Sequence, residues 1–144
     1  MSDHAGVEAK AALRRHLESR GHAVLDLGTD SSEPVDYPDL AARGGRAVAA
    51  GEGERGVFLC GTGIGVCMAA NKVPGVRAVL LHDETSAEMS RRHNDANVAC
   101  LGARTTPADR IERLVDLWLA TPFEGGRHAR RVAKIDALRP PSAG

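Results

Sequence analysis

The chain has 144 residues, and its 19 Lys plus Arg balance 19 Asp plus Glu. That length supports one domain with its own core, and the balance excludes a bulk field that would draw nucleic acid or an anionic membrane. Apolar runs such as 57–60 and 78–81 fall far short of the ~20 residues that span a bilayer, and Met1-Ser2-Asp3-His4 lacks a secretory leader pattern. A cytoplasmic protein is expected. Its three cysteines, an odd number with no CxxC spacing, fit reduced thiols better than a disulfide framework or a zinc site.

Residues 5–20 place Val7, Ala11, Leu13 and Leu17 near helical spacing and stop at Gly21, a C-terminal cap residue. Residues 23–27 are a short apolar run ending at Gly28, which predicts a strand, and 29–36 are rich in turn formers. A helix is predicted over 38–50 despite Gly44-Gly45, then a strand over 57–60. The Gly61-Thr62-Gly63-Ile64-Gly65 turn opens into a helix over 66–72. The alternation repeats with a strand at 77–81, a helix at 85–92, a strand at 98–101 and a helix at 108–120. A last helix covers 127–138, so one domain spans 1–138 and 139–144 form a flexible tail.

Strands that are apolar throughout and alternate with helices predict an α/β, Rossmann-like three-layer sandwich, its parallel sheet covered on both faces. Ligands in such folds lie beyond the carboxyl ends of the strands. The residues to inspect are therefore 60–65, 82–83 and 102–104. A doubly wound sheet also normally has a strand before its first helix, and here only Met1-Ser2 precedes Asp3-His4.

Cys60 ends a strand, and the glycines behind it let backbone N–H groups converge at a helix N-terminus, where an anion or a developing oxyanion is stabilised. The same positive end favours a thiolate. Alone, Cys60 reads more readily as a core cysteine before a tight turn, and Cys67 and Cys100 take that reading. A dinucleotide site is disfavoured, because G-x-G-x-x-G needs glycine where Val66 stands. His93-Asn94-Asp95 offers a general acid or base with an amide beside it. Arg127 and Arg131 share a helix face and with Arg104 could clamp a phosphate. Taken singly these are equally a polar helix end and a solvated basic face. Asp3-His4 could be no more than a cap, and Tyr37 a packed ring.

Together the segments Asp3-His4-Ala5-Gly6, Asp36-Tyr37-Pro38, Cys60-Gly61-Thr62-Gly63-Ile64-Gly65, Ala70-Asn71-Lys72, Gly75-Val76-Arg77-Ala78, Arg92-His93-Asn94-Asp95-Ala96-Asn97, Gly102-Ala103-Arg104 and Glu124-Gly125-Gly126-Arg127-His128 resemble the family of ribose-5-phosphate isomerase B and the galactose-6-phosphate isomerase subunits. The resemblance runs over nearly the whole chain. It implies aldose–ketose isomerisation of ribose 5-phosphate and ribulose 5-phosphate through a cis-enediolate, in the pentose phosphate pathway, with no metal and no organic cofactor. By the same resemblance Cys60 is the base, Gly61, Gly63, Ile64 and Gly65 hold the enediolate oxygens, and His93 assists ring opening with Thr62 nearby. Asp3, His4, Tyr37 and Asn94 bind the sugar, and Arg104, Arg127 and Arg131 the phosphate. Some members lack the cysteine and carry a glutamate where this chain has Val66, so Cys60 belongs to the cysteine-base branch. A homodimer or tetramer with shared active sites is implied.

Members also have a first strand before Asp-His, and in the expected strand order of 3-2-1-4-5 that strand is central. Its apparent absence from this chain is expected to leave its neighbours without ladder partners. An isomerase of another sugar phosphate, hexose 6-phosphate or tetrose phosphate, fits the same residues, because pocket depth sets sugar length. A non-catalytic sugar-phosphate binding module is the reading from a different class.

Overall fold

A computed structural model describes residues 1–138; the expected tail over 139–144 lies outside the described residues. A 3-10 turn at His4–Gly6 leads into α1 (Val7–Ser19), followed by α2 (Tyr37–Ala49), β1 (Gly56–Cys60), α3 (Ile64–Ala70), β2 (Ala78–Leu80), α4 (Glu84–Arg92), β3 (Val98–Gly102), α5 (Ala108–Ala120) and α6 (Arg127–Ala137). All three strands are parallel. Alternate strand residues face opposite layers, which gives the domain two cores. Leu59, Ala99 and Leu101 pack with Leu114, Val115 and Trp118 of α5, on the side that also holds α1 and α4. Phe58, Cys60 and Cys100 pack with Val66 and Ala70 of α3 and Ala41 of α2 on the other. Helices cover both faces, as the uniformly apolar strands require.

The strand order is β1-β3-β2, which corrects the expected order. β3 (Val98-Ala99-Cys100-Leu101-Gly102) is buried at every position and lies between the other two, whereas the three residues of β2 are only half-buried. The absence of any polar side chain from β3 suits it to that position, with strands on both sides and helices on both faces.

Ahead of His4, residues 1–3 lie beside β1. Ser2 pairs with Leu59 in a parallel bridge, the Leu59 amide donates to the Met1 carbonyl at 3.0 Å, and the Asp3 amide donates to the Leu59 carbonyl at 3.2 Å. The Met1 ammonium donates to the Val57 carbonyl at 2.9 Å. Burial pulls this amine down from 8.0 to about 6.

The expected strand over 23–27 does not form. A strand needs a neighbour along its length, and among the described residues this stretch meets the 1–3 segment only at its end, where the Thr29 amide donates to the Ser2 carbonyl at 3.1 Å. In place of a ladder, a cavity of about 610 Å3 separates this stretch from β1, lined by Leu13, Leu17, Val24, Leu25, Val57 and Phe58. The loop is pinned instead by Lys10, which bonds Asp26 at 2.7 Å, Asp30 at 2.6 Å and the Thr29 carbonyl at 2.8 Å. Gly28 crosses so close over Ser2 that a Cβ there would lie 2.5 Å from its backbone nitrogen.

Candidate active site

At the carboxyl end of β1 the chain turns through Gly61 to Gly63, and Gly63 takes φ +78 to enter α3. The turn presses against β3: a Cβ on Gly63 would lie 2.7 Å from the Leu101 carbonyl carbon. It also aims the Gly63 N–H at the Cys60 sulfur, 3.1 Å away. Thr62 Oγ1 accepts from the Ile64 amide at 3.3 Å and closes the turn. Beside it, the Ala103 amide donates to the Cys60 carbonyl at 2.8 Å and the Arg104 amide to the Gly61 carbonyl at 3.0 Å. These bonds set the Arg104 guanidinium over Gly61, 3.3 Å from where a Cβ would stand.

Three more residues expected at the site gather at this edge. Asp3 is buried, follows the residue bridged to Leu59, and caps the 3-10 turn by accepting from the Ala5 amide at 2.9 Å. His4 Nδ1 accepts from the Val35 amide at 3.2 Å, so its Nε2 carries the remaining ring valence. Tyr37 lies on Gly65; any side chain there would strike the Tyr37 ring, 2.6 Å from Cζ. Val66, at the position where part of the family carries a carboxylate, is fully buried. The two other thiols are free; Cys100 is pushed well up by the neighbouring Cys67 and by burial, and Cys67 is lowered by the neighbouring Cys100. Both fit the packing role expected of them.

The remaining expected residues stand elsewhere. α4 runs back against the strand direction, so His93 and Asn94, which follow it, lie at the amino edge of the sheet. α6 docks at the same edge, where the Glu124 amide donates to the Arg92 carbonyl at 3.0 Å and Arg77 pairs with Asp136 at 3.0 Å. Arg127 and Arg131 belong to α6. Cys60 pairs in register with Gly102, whereas His93 precedes Val98. The two edges are about 13 Å apart along a five-residue strand, beyond the ~3 Å at which a proton is passed. One chain therefore divides the expected residues into a thiol edge and an imidazole edge.

The imidazole edge also holds Glu124 and His128, which belong to the matching Glu124-Gly125-Gly126-Arg127-His128 segment but carry no role drawn from the resemblance. The His128 ring stacks on His93 at a centroid distance of 4.2 Å and an interplanar angle of 6°. Glu124 Oε2 approaches His93 Nε2 at 3.9 Å and His128 Nε2 at 3.7 Å. Burial and the neighbouring His93 hold His128 below the usual histidine range, and the hydrogen bond from Arg92 holds Glu124 below the usual carboxylate range. Glu124 precedes α6 and His128 lies in its first turn, so helical spacing does not announce the pair, which only the packing of the 121–126 segment brings together.

The thiol edge suits chemistry at a carbon next to a carbonyl, with a soft base, amides for an oxyanion and a guanidinium for an anion. No helix among the described residues is long and apolar enough to cross a membrane. The family model "Ribose/Galactose Isomerase" matches residues 1–135. The chain is 46% identical over 136 residues, covering 94% of this chain and 91% of the relative, to ribose-5-phosphate isomerase B of Escherichia coli. It is 40% identical to D-erythrulose-4-phosphate isomerase of Pectobacterium atrosepticum, covering 93% of this chain and 89% of the relative. A crystal structure of ribose-5-phosphate isomerase B from Mycoplasma genitalium with bound ribulose-5-phosphate superposes with a TM-score of 0.90 at 42% identity, covering 94% of this chain and 91% of that one. The chain belongs to the ribose/galactose isomerase family and is an aldose–ketose isomerase of sugar phosphates.

Proposed function

We propose that this enzyme interconverts ribose 5-phosphate and ribulose 5-phosphate in the cytoplasm, with Cys60 as the base. The observation that carries this reading is the Cys60 sulfur at 3.1 Å from the Gly63 N–H, inside a glycine turn with Arg104 beside it. The thiolate removes the C2 proton of the open-chain aldose, and the electrons move into the C1–C2 bond and onto the carbonyl oxygen. Amides of Gly61, Gly63, Ile64 and Gly65 stabilise that enediolate, without which the C2 proton is not acidic enough to leave. The thiol returns the proton to C1, and the hydroxyl proton passes from O2 to O1. Asp3, His4, Tyr37 and Thr62 line the sugar's path.

Ring opening by His93, sugar contact by Asn94 and phosphate binding by Arg127 and Arg131 then require a second copy of the chain. A homodimer that lays one chain's imidazole edge on the other's thiol edge brings all these groups into reach. Ile64 and Met68 on α3, 52% and 67% exposed, and Ile135 on α6, 44% exposed, are apolar surface near the two edges, and their burial favours such a pairing. Phosphate held by arginines fixes C2 against the thiolate, which converts binding energy into orientation.

The test is ribose 5-phosphate in D2O, following deuterium entry at the exchanging carbon and ketose formation, beside Cys60→Ala. Loss of both in the variant is expected; equal behaviour of variant and wild type would sink the role of Cys60. A tetrose phosphate is the second reading, favoured by the relative named D-erythrulose-4-phosphate isomerase. Faster turnover of a tetrose phosphate than of ribose 5-phosphate would keep the mechanism and change the substrate.

A further inference from the structure

The imidazole edge carries a cluster that the isomerisation does not need in full. One ring nitrogen each of His93 and His128 and a Glu124 carboxylate oxygen lie within 4.8 Å of one another. Two imidazoles and one carboxylate are the donor set of zinc and its late first-row neighbours, not of magnesium or calcium, which take oxygen ligands. Tetrahedral coordination at ~2.0–2.1 Å needs donor atoms about 3.3 Å apart. The two imidazole-to-carboxylate approaches, 3.9 and 3.7 Å, are already near that value. The remaining gap lies between the two rings, and a turn of the His93 ring closes it. Among the described residues no hydrogen bond holds that ring, and its side chain is 38% exposed.

We propose that His93, Glu124 and His128 bind a zinc-like divalent cation, with the fourth position left to water. Three protein ligands and an open position are what a reversibly occupied site has. Arg92 Nε donates to Glu124 Oε1 at 2.6 Å, so one carboxylate oxygen is anchored and Oε2 is turned toward the rings, the role an outer-shell partner plays. His128 is buried on α6 and fixed, while His93 and Glu124 reach solvent and give the ion its path in. The neighbouring Arg127 opposes a cation, so the site is weaker than a structural zinc site. Resting on the isomerase reading above, the ion acts as a reversible inhibitor, because a metal-bound His93 nitrogen can no longer exchange a proton with the sugar ring.

Metal-free protein titrated with Co2+ reads the site directly through its visible d–d absorption. One equivalent per chain is expected, with the intensity of a four- or five-coordinate ion, no thiolate-to-cobalt charge-transfer band, and displacement by Zn2+. His128→Ala and Glu124→Gln should each weaken binding by at least ~100-fold, the upper end of what loss of an outer-shell partner costs. Cys67→Ser should leave it unchanged. Thermal unfolding without metal verifies that the variants fold. No stoichiometric binding by wild type, undiminished binding by either ligand variant, or a thiolate band would overturn the site. These readouts do not involve turnover, so they fail independently of the isomerase reading. Zn2+ should inhibit wild-type isomerisation in step with occupancy; occupancy without inhibition would overturn the inhibitory role.

Discussion

Two glycines with the same backbone angle isolate what the active-site turn costs to build. Gly63 and Gly51 both have φ +78. A Cβ at Gly51 meets nothing within 4 Å, whereas one at Gly63 meets the Leu101 carbonyl carbon and Leu80 Cδ1 at 2.7 Å and the Gly102 nitrogen at 3.0 Å. Alanine at either position incurs about 1–2 kcal/mol for left-handed backbone, partly offset by the ~0.4–1 kcal/mol that replacing glycine saves through the unfolded chain. Gly51→Ala is therefore expected to lose about 1 kcal/mol. Gly63→Ala adds a clash with strand backbone that cannot swing aside, about 1–3 kcal/mol on the scale of overpacked cores, for a total of about 2–4 kcal/mol. Against a domain stability of ~5–15 kcal/mol that is a large fraction, and at ~2–4 °C per kcal/mol it lowers Tm by roughly 10 °C. Urea unfolding of both variants measures the difference. Losses equal within about 0.5 kcal/mol, the scatter of independent sites, would refute the claim that turn and strand are in rigid contact. The same variant shifts the N–H aimed at Cys60, so its kcat should fall while the folded fraction that remains is still measurable.

A divided site predicts complementation. Cys60→Ala and His93→Ala homodimers should each be nearly inactive, and an equal mixture that exchanges subunits should recover about a quarter of wild-type activity, since half the dimers are mixed and each has one intact site; no recovery after proven exchange would place both residues in one chain's site. The Met1 amine gives a pH dependence. Its folded value of about 6 lies below the 8.0 of the free group, so its stabilising contribution is complete above pH 8 and is lost as pH falls through 6, amounting to about 2–3 kcal/mol. Denaturant midpoints at pH 5.5 and 8.5 for protein verified to retain Met1, beside an N-acetylated form, should show that slope only in the free amine. Lys10→Met should cost about 2–3 kcal/mol, below the 3–5 kcal/mol of a fully buried broken pair, because Asp26 keeps 16% side-chain exposure and Asp30 keeps 90%; a loss under 0.5 kcal/mol by chemical denaturation would show that the loop holds itself.

The helices and the three strands were legible in apolar periodicity, and the 108–120 helix matches to the residue. The failure at 23–27 has a plain cause. An apolar run records a capacity to pair, and pairing depends on what lies alongside, which in this fold comes from a distant part of the chain. Strand order was illegible for the same reason, although the complete burial of β3 was written in its composition. The candidate site was legible as a set of residues and illegible as an arrangement. Nothing local in His93 or Arg127 records that α4 and α5 run against the strands and deliver them to the far edge. The roles of Lys10 and His128 were missed because a lysine on an amphipathic helix and a histidine in an arginine-rich stretch read as surface, and only packing shows otherwise.

The placement of Met1 has a practical consequence for anyone handling this protein. Its amine ends inside the sheet, bonded to Val57, and not in solvent. A purification tag or fluorescent fusion joined at this end would have to thread along the groove beside β1, competing with the Leu59 and Val57 contacts. Removal of Met1 by an aminopeptidase would strip the same contacts from the strand that carries Cys60. The state of this one terminus therefore belongs among the variables to be measured, by intact mass, before any rate is compared between preparations.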